Sequence, residues 1–253
     1  MTRILAVANQ KGGVGKTTTV LNVGTVLAQK RCRVLLVDLD PQASLTVFLG
    51  LDPYRVERST YSLLMHPDMP LSRILRPFGS TLALLPGSVD LATASIKLVQ
   101  GVHPLDRLRA ALRQGHVEFD YVLIDTPPGL NALTVTGLLA ADEVLLPTQC
   151  NHSAMLGIRA IQDVIKRIRE NMGNPSLKIT GVLPTFYDPT AVYAPEVLAE
   201  LRALLPAIMF KTVIPYDTNI ADAPHKGQVA VDYAPDSPGA LAYHALAAEL
   251  LSL

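Results

Sequence analysis

The sequence has 253 residues, of which 49% are hydrophobic and 17% are charged, and this balance excludes extended disorder and provides enough apolar side chains for a sizeable core. Its 22 basic and 22 acidic residues cancel, so overall charge gives no support for nucleic-acid binding, which would have to come from a local basic patch. No apolar run reaches the length of about eighteen residues that a membrane span needs, so we expect no integral membrane association.

Chain length and cysteine usage suggest a single intracellular domain. The length suits one α/β domain, and no break in composition divides residues 1–253. Cys32 and Cys150 lie far apart without a paired spacing, so we expect both to be reduced thiols. The amino terminus lacks the charged region, apolar stretch and cleavage site of a secretory signal, and we therefore expect a cytoplasmic protein.

The first predicted strand leads into a glycine-rich loop. An apolar run at residues 4–8 precedes residues 9–18, which read Asn-Gln-Lys-Gly-Gly-Val-Gly-Lys-Thr-Thr, and a helix-compatible segment follows at residues 17–29. This order of strand, loop and helix is the one that a phosphate-binding loop needs. The alternative interpretation is a glycine-rich turn that binds nothing.

The residue types of this loop suit a nucleotide with its metal. Glycines, which lack a Cβ, let the backbone turn tightly and direct N–H groups at phosphate oxygens. Lys16, at the positive end of the following helix, is expected to reach the β and γ phosphates. Thr17 would ligate Mg²⁺, and Thr18 would hold the α-phosphate. The predicted nucleotide-binding residues of the loop are Lys11, Gly12, Gly13, Val14, Gly15, Lys16, Thr17 and Thr18.

Two well-known patterns are not completed by this loop. The strict P-loop pattern has a glycine where Gln10 stands, and the dinucleotide-binding fingerprint has one where Thr18 stands. The loop is therefore a variant phosphate loop with two lysines.

The second and third predicted strand ends carry carboxylates. A continuous apolar run at residues 33–38 ends in Asp38-Leu39-Asp40-Pro41, and the carboxyl ends of strands are where open α/β sheets place their ligand chemistry. A later apolar strand within residues 120–129 is closed by Asp125, in the layout of a Walker B element that holds Mg²⁺ through water. We expect residues 126–129 to form a switch that senses the γ-phosphate. The alternatives are solvated turn acids and an ordinary helix N-cap.

The remaining segments predict the fold class. Residues 50–79 contain scattered prolines and suggest a surface excursion. Strands are predicted at residues 81–86, 143–150, 178–184 and 210–214, and helices at 89–100, 105–113, 153–171, 195–204 and 238–251. This alternation predicts a doubly wound α/β architecture of P-loop NTPase type, with a mostly parallel sheet and helices on both faces.

The two-lysine loop resembles the deviant Walker A motif of the ParA/MinD ATPases, and the motif order over nearly the whole chain resembles a ParA/Soj-type partition ATPase. The residues after the second strand match the family's second signature, and further similar stretches lie at residues 146–150, 181–188 and 212–215. The resemblance implies Mg²⁺-dependent hydrolysis of ATP to ADP. It also implies a sandwich homodimer in which Lys11 crosses to the partner's phosphates, much as an arginine finger does.

The resemblance assigns further site residues. Asp40 would position the attacking water, so Lys11, Lys16 and Asp40 form the expected catalytic set. Asp38 would lie near the metal shell, beside Thr17 and Asp125. Relatives lend a proline and an asparagine to the adenine, and here the matching residues are Pro215 and Asp217.

The family resemblance further implies partners. The ATP-bound dimer would bind double-stranded DNA without sequence preference, near the nucleoid, and a ParB-like protein would stimulate hydrolysis to position chromosome or plasmid DNA. Many chromosomal relatives carry arginines after the matching Ile-Pro, whereas this chain continues Tyr216-Asp217-Thr218. Their loss should weaken DNA binding unless another patch substitutes. Candidate basic residues are Arg159, Lys166, Arg167, Lys178, Arg202 and Lys226.

Two other functions stay open. A MinD-like ATPase would move a non-DNA cargo or act at a membrane surface, but residues 227–253 contain no Lys or Arg, whereas membrane-surface helices usually pair an apolar face with basic residues. A metabolic P-loop enzyme would transfer phosphate or catalyse amidation, but no His or Cys constellation suggests a dedicated substrate pocket. Phosphate transfer to a small acceptor would support the enzyme, and hydrolysis dependent on dimerisation would support the partition function.

Overall fold

The computed structural model describes residues 2–66, 68–101, 104–114 and 119–253, and seven strands within these ranges form one sheet in the order β3-β4-β2-β5-β1-β6-β7. Neighbouring strands are parallel except β3 and β4, which pair antiparallel at one edge. The strands are β1 Arg3–Val7, β2 Val34–Asp38, β3 Arg76–Phe78, β4 Leu82–Leu85, β5 Tyr121–Asp125, β6 Glu143–Gln149 and β7 Lys178–Thr185.

Helices cover both faces of this sheet and enclose one apolar cluster on each. The helices are α1 Lys16–Gln29, α2 Ser44–Phe48, α3 Thr60–Met65, α4 Leu91–Val99, α5 Arg107–Gln114, α6 Ala132–Ala140, α7 Ala154–Asn171, α8 Ala194–Leu204, α9 Thr218–Asp222, α10 Ala230–Tyr233 and α11 Pro238–Ser252. One cluster joins the sheet to α3, α4, α6 and α7, and the other joins it to α1, α10 and α11. The predicted doubly wound α/β fold is confirmed. Every helix in the described ranges is too short or too polar to cross a bilayer.

The register of the central strands positions the site. Asp125 at the end of β5 lies beside Val7 at the end of β1 and beside Asp38 at the end of β2. All residues of β2 and β5 are buried, as expected for parallel strands that are covered on both faces. The carboxyl ends of β1, β2 and β5 therefore bring the glycine-rich loop and both acidic motifs to one edge.

The interpretation of residues 50–79 as a surface excursion is wrong in part. Helix α3 buries Leu63, Leu64 and Met65, and Ile74 is fully buried. Strand β3 then adds an antiparallel edge to the sheet. These elements are too short to show a clear helical or strand periodicity in the sequence. The scattered prolines therefore determined the interpretation of this segment as a surface excursion.

The strand predicted at residues 210–214 is also wrong. Two isolated bridges, Val182 to Met209 and Tyr187 to Pro215, link this region to the neighbourhood of β7. Phe210 and Ile214 also donate backbone hydrogen bonds to the carbonyls of Val182 and Pro184 in β7. Between them, the backbone N–H groups of Lys211 and Thr212 donate to the Glu249 carboxylate of α11 at 2.8 and 3.1 Å. Because a side chain takes these donors, a regular strand ladder is interrupted there.

Candidate nucleotide-binding site

The glycine-rich loop needs its glycines for conformation and for space. Gly13 and Gly15 have φ values of 70° and 88°, a region that residues with a Cβ rarely adopt. A Cβ on Gly15 would also lie 3.1 Å from the Phe186 ring. Gly15 is the N-cap of α1, so the loop presents the amino end of a long helix to the cleft.

Polar side chains from neighbouring strand ends hold the loop in place. Asn9 accepts from the N–H of Lys11 at 3.0 Å and donates to the carbonyl of Pro147 at 2.7 Å. Gln149 donates to the carbonyl of Gly13 at 3.2 Å, and Thr185 donates to that of Val14 at 2.9 Å. Sequence reasoning gave none of these supporting roles. The sequence feature that could have indicated them is a polar residue at the first position of the loop and at the carboxyl ends of β6 and β7.

The two lysines of the loop occupy different environments. Lys16 is 7% exposed, and its ammonium donates to the carbonyl of Lys11 at 3.0 Å. Burial lowers the pKa of Lys16, and the negative charges of Asp125 and Asp40 oppose this effect. Lys11, in contrast, is exposed on the surface of the loop. Lys16 thus lines the cleft, whereas Lys11 is open to solvent.

Asp125 has the properties of a carboxylate built for a metal site. It is fully buried, and neither of its oxygens has a hydrogen-bond partner among the described residues. Burial, reinforced by the charge of Asp38, raises its pKa well above the usual range, while the nearby Thr17 hydroxyl favours the charged form. Two uncompensated oxygens beside a threonine hydroxyl fit Mg²⁺, a hard cation that prefers oxygen ligands and retains water.

Replacing Asp125 by asparagine should lower the affinity of the site for Mg²⁺ without destabilising the fold. We expect the Mg²⁺ concentration that gives half-maximal ATP hydrolysis to rise about 10- to 100-fold, as for partners that hold a metal through water. The nucleotide-free variant should melt at the same or a higher temperature, because an uncompensated buried carboxyl is removed. Asp120→Asn, at the other end of the same strand segment, is the control. An unchanged Mg²⁺ dependence would contradict the assignment.

Seven of the predicted site residues line a cleft of about 290 Å³. Asp40 is half-buried there, and its Oδ1 accepts from the N–H of Gln42 at 2.9 Å, which fixes the turn after β2. A second cavity of about 300 Å³ lies on the other side of the loop and contains Lys11 and Val14. The predicted residues that line the first cleft are Gly12, Gly13, Gly15, Lys16, Thr17, Thr18 and Asp40.

Asp38 lies beside Asp125, but its oxygens are taken by hydrogen bonds within the protein, and its predicted place near the metal shell stays a prediction. It is fully buried, and its oxygens accept from the backbone and hydroxyl of Thr46 and from the N–H of Asp40. Burial raises the pKa of Asp38 to about 6, although these hydrogen bonds favour the charged form. Asp38 therefore acts within the protein, under the turn that carries Asp40.

The raised pKa of Asp38 predicts a pH dependence of stability. Between about pH 4 and pH 6 the folded chain retains a proton that the unfolded chain has lost, since the pKa rises from 3.8 to about 6 on folding. The stabilisation from this bound proton is complete below the pKa of the unfolded state. It is lost as the pH rises through the pKa of the folded state, which lowers the free energy of unfolding by about 3 kcal/mol. Urea unfolding of the wild type and Asp38→Asn should show the difference between their unfolding free energies falling over this window. A constant difference would contradict the prediction.

Pro215 and Asp217 lie outside the residues that line the first cleft. Asp217 is the N-cap of α9 and accepts from the N–H groups of Asn219 and Gly239 at 2.9 and 2.8 Å. Burial alone would raise its pKa, but these hydrogen bonds lower it overall. Their contact with adenine stays a prediction, and the structure adds a capping role for Asp217.

The candidate basic residues are exposed but scattered. Lys166 and Lys178 are brought together with Arg169 in a groove of about 650 Å³ between α7 and the start of β7. We call this the basic groove. It lies toward the amino ends of the parallel strands, away from the nucleotide edge.

Comparisons with known proteins agree with this geometry. A family model described as an AAA domain matches residues 2–179. The chromosome-partitioning ATPase Soj of Thermus thermophilus is 41% identical over 250 residues, which cover 99% of this chain and 96% of that protein.

The fold is also similar to that of solved structures with bound nucleotide and magnesium. Cobyrinic acid a,c-diamide synthase from Mycobacterium smegmatis, with a bound ATP analogue and magnesium, superimposes with a TM-score of 0.85 at 37% identity, covering 99% of this chain and 95% of that one. The septum site-determining protein MinD from Pyrococcus horikoshii, complexed with Mg-ADP, gives a TM-score of 0.82 at 28% identity, with 99% and 96% covered.

Proposed function

This chain belongs to the ParA/Soj family of P-loop partition ATPases, and we propose that its ATP-bound homodimer binds double-stranded DNA non-specifically to position chromosome or plasmid DNA. The chain is an ATPase that uses ATP and Mg²⁺. The observation that supports the proposal best is one cleft lined by Lys16, Thr17 and Asp40, with Lys11 exposed on the same glycine-rich loop.

In the proposed mechanism each residue has one task. Lys16 and the loop N–H groups bind the β and γ phosphates. Thr17 would hold Mg²⁺ directly and Asp125 would hold it through water, and the ion would supply positive charge that offsets the charge of the phosphates. Asp40 orients the attacking water, and Pro215 and Asp217 contact the adenine.

Dimerisation completes the proposed site. Lys11 extends from the exposed surface of the glycine-rich loop to the partner's phosphates. There it stabilises the charge of the transferring phosphoryl group. Hydrolysis then depends on the encounter of two ATP-bound subunits, so ATP acts as a switch between a dimer and a monomer. We propose one domain over residues 1–253, a cytoplasmic and nucleoid-associated location, and a ParB-like protein that stimulates turnover.

The proposed DNA contact relies on residues outside the loop at residues 215–220. That loop exposes Tyr216 and contains no Lys or Arg. The basic groove contains Lys166, Arg169 and Lys178, and none of the three forms an ion pair within the part of the chain that the structure describes. Among the residues that line the groove, Glu170 is the one with an opposing charge. Because phosphate neutralisation dominates non-specific DNA affinity, this groove is the best supported substitute.

The direct test is binding of mixed-sequence duplex DNA with ATP, with ADP and without nucleotide over a salt series. Asp40→Ala holds the ATP state. We expect binding only with ATP and falling with salt, and Lys166→Ala with Lys178→Ala should reduce the slope of log affinity against log salt by about 0.9 per lost phosphate contact. Lys30→Ala is the control. No DNA binding by a protein that still dimerises would contradict the proposal, and vesicle binding would then test a MinD-like membrane role.

A second candidate function is ATP-dependent amidation of a carboxylate. It is favoured by the likeness to the structure of cobyrinic acid a,c-diamide synthase. However, glutamine-dependent amidation needs a reactive thiolate, and burial raises the pKa of both thiols in the chain, Cys32 and Cys150. Release of glutamate from glutamine, or amide formation from ammonia and a carboxylate acceptor, would support this function. ATP hydrolysis with neither product would count against it.

A further inference from the structure

We infer that Thr46, a residue outside the nucleotide motifs, is a positioning residue for hydrolysis. It holds the turn that carries Asp40 against the sheet through the buried carboxylate of Asp38. The inference rests on the role proposed above for Asp40 and adds a residue that does not touch the nucleotide.

Thr46 is a hydrogen-bond hub at the end of β2. It is fully buried on α2, and its hydroxyl donates to Oδ2 of Asp38 at 2.7 Å. Its backbone N–H donates to the same oxygen at 3.0 Å. The hydroxyl in turn accepts from the N–H of Gly87 at 2.8 Å. One small side chain thus joins α2, β2 and the segment after β4.

Asp38 passes this restraint to Asp40. Its Oδ1 accepts from the backbone N–H of Asp40 at 3.1 Å. The carbonyl of Asp40 accepts from the N–H of Ala43 at 2.8 Å, and Ala43 has a φ of 49°, a left-handed conformation that costs free energy for a residue with a Cβ. The turn is therefore held in an uncommon conformation by surrounding contacts, which include the buried hydrogen bonds between Thr46 and Asp38.

The far side of this network is closely packed and hydrogen-bonded. A Cβ on Gly87 would lie 2.9 Å from Cγ of Asp38, so only glycine lets the backbone approach this closely. The next residue, Ser88, shares a hydrogen bond of 3.0 Å with Ser59, and both are buried. Ser59 is the capping-box residue of α3. Thr46 is thus fastened to a buried polar chain that extends away from the cleft.

This arrangement separates binding from chemistry. Nucleotide phosphates are bound by the loop between β1 and α1, which makes no hydrogen bond with Thr46 within the described residues. Hydrolysis needs Asp40 to be correctly positioned relative to the attacking water. A displacement of the catalytic group by about 1 Å costs about 100-fold in rate. Loss of the Thr46 hydroxyl should therefore lower kcat and leave nucleotide affinity nearly unchanged.

The test compares Thr46→Val, Thr46→Ser and a control, Thr136→Val. Thr136 is equally buried, on α6, and its hydroxyl has no hydrogen-bond partner among the described residues. We expect Thr46→Val to reduce kcat about 100-fold, with affinity for a fluorescent ADP analogue within about threefold of wild type. Thr46→Ser, which keeps the hydroxyl, should restore most of kcat, and Thr136→Val should match the wild type.

Several results would overturn the inference. Wild-type kcat in Thr46→Val would do so, as would a Thr46→Ser variant that is as slow as the valine variant, since packing of the methyl group would then be decisive. A parallel loss of nucleotide affinity and melting temperature in both would indicate a structural role. Asp40→Ala, measured alongside, separates the two claims. If it hydrolyses ATP normally, the role of Asp40 fails; if it is inactive while Thr46→Val is active, only the role of Thr46 fails.

Discussion

Replacing Lys11 by alanine is expected to lower ATP turnover about 10³-fold or more while nucleotide binding to the monomer is retained. Lys11 is exposed, and its backbone is fixed by Asn9 at 3.0 Å, so its side chain is presented outward from a rigid base. A cation supplied across an interface to a transferring phosphoryl group contributes about 10³- to 10⁵-fold in other NTPases. Turnover should be measured over a range of protein concentrations.

The concentration series makes this prediction specific. In the proposed dimer two subunits build each site, so wild-type turnover per subunit should rise with protein concentration, and that rise should disappear in Lys11→Ala. Lys211→Ala removes an equally exposed lysine remote from the loop and should behave as wild type. Wild-type hydrolysis by Lys11→Ala would contradict the role across the dimer.

Replacing Lys16 by alanine is expected to weaken ATP binding about 10²- to 10³-fold. Loss of one partner from a buried, hydrogen-bonded charge pair costs about 2–5 kcal/mol, and each 1.4 kcal/mol is tenfold in affinity. Lys16 is the buried cation of the cleft, 3.0 Å from the loop carbonyl of Lys11. Equilibrium titration with a fluorescent ATP analogue measures the loss directly.

Stability distinguishes this loss from unfolding. Burial lowers the pKa of Lys16, so its charged form is disfavoured in the nucleotide-free protein. The alanine variant should consequently melt at or above the wild-type temperature without nucleotide, and gain no stability from added ATP. Lys30→Ala, at the other end of α1, should retain the ATP-induced shift. An ATP-induced shift of wild-type size in Lys16→Ala would refute the assignment.

The nucleotide edge was predictable because its signals are local. A glycine-rich loop after an apolar strand, and acids closing two further strands, identify their own chemistry, and parallel strands bring such ends together. The supports of the edge were not predictable. Asn9, Thr46 and Gln149 each have a partner that is distant in sequence, at separations of 138, 8 and 136 residues respectively, and no local pattern marks such a pair.

The missed fold elements share a physical cause. Helix α6 is apolar on nearly all sides and mostly buried, so it lacks the polar face that reveals a helix in sequence. Helix α3 and strand β3 are short, and the apolar run at residues 210–214 loses its backbone donors to Glu249. Tertiary contacts decide each of these cases.

The basic groove has a consequence for how a dimer would engage DNA. Lys166 and Lys178 lie toward the end of the sheet opposite the nucleotide cleft. If two subunits join through their nucleotide edges, two-fold symmetry directs their grooves to opposite sides of the assembly. One dimer would then be bivalent and hold two separate duplex segments rather than one. In densely packed DNA, the second contact would form at high effective concentration, and retention would rise steeply with DNA density without any additional contact per subunit.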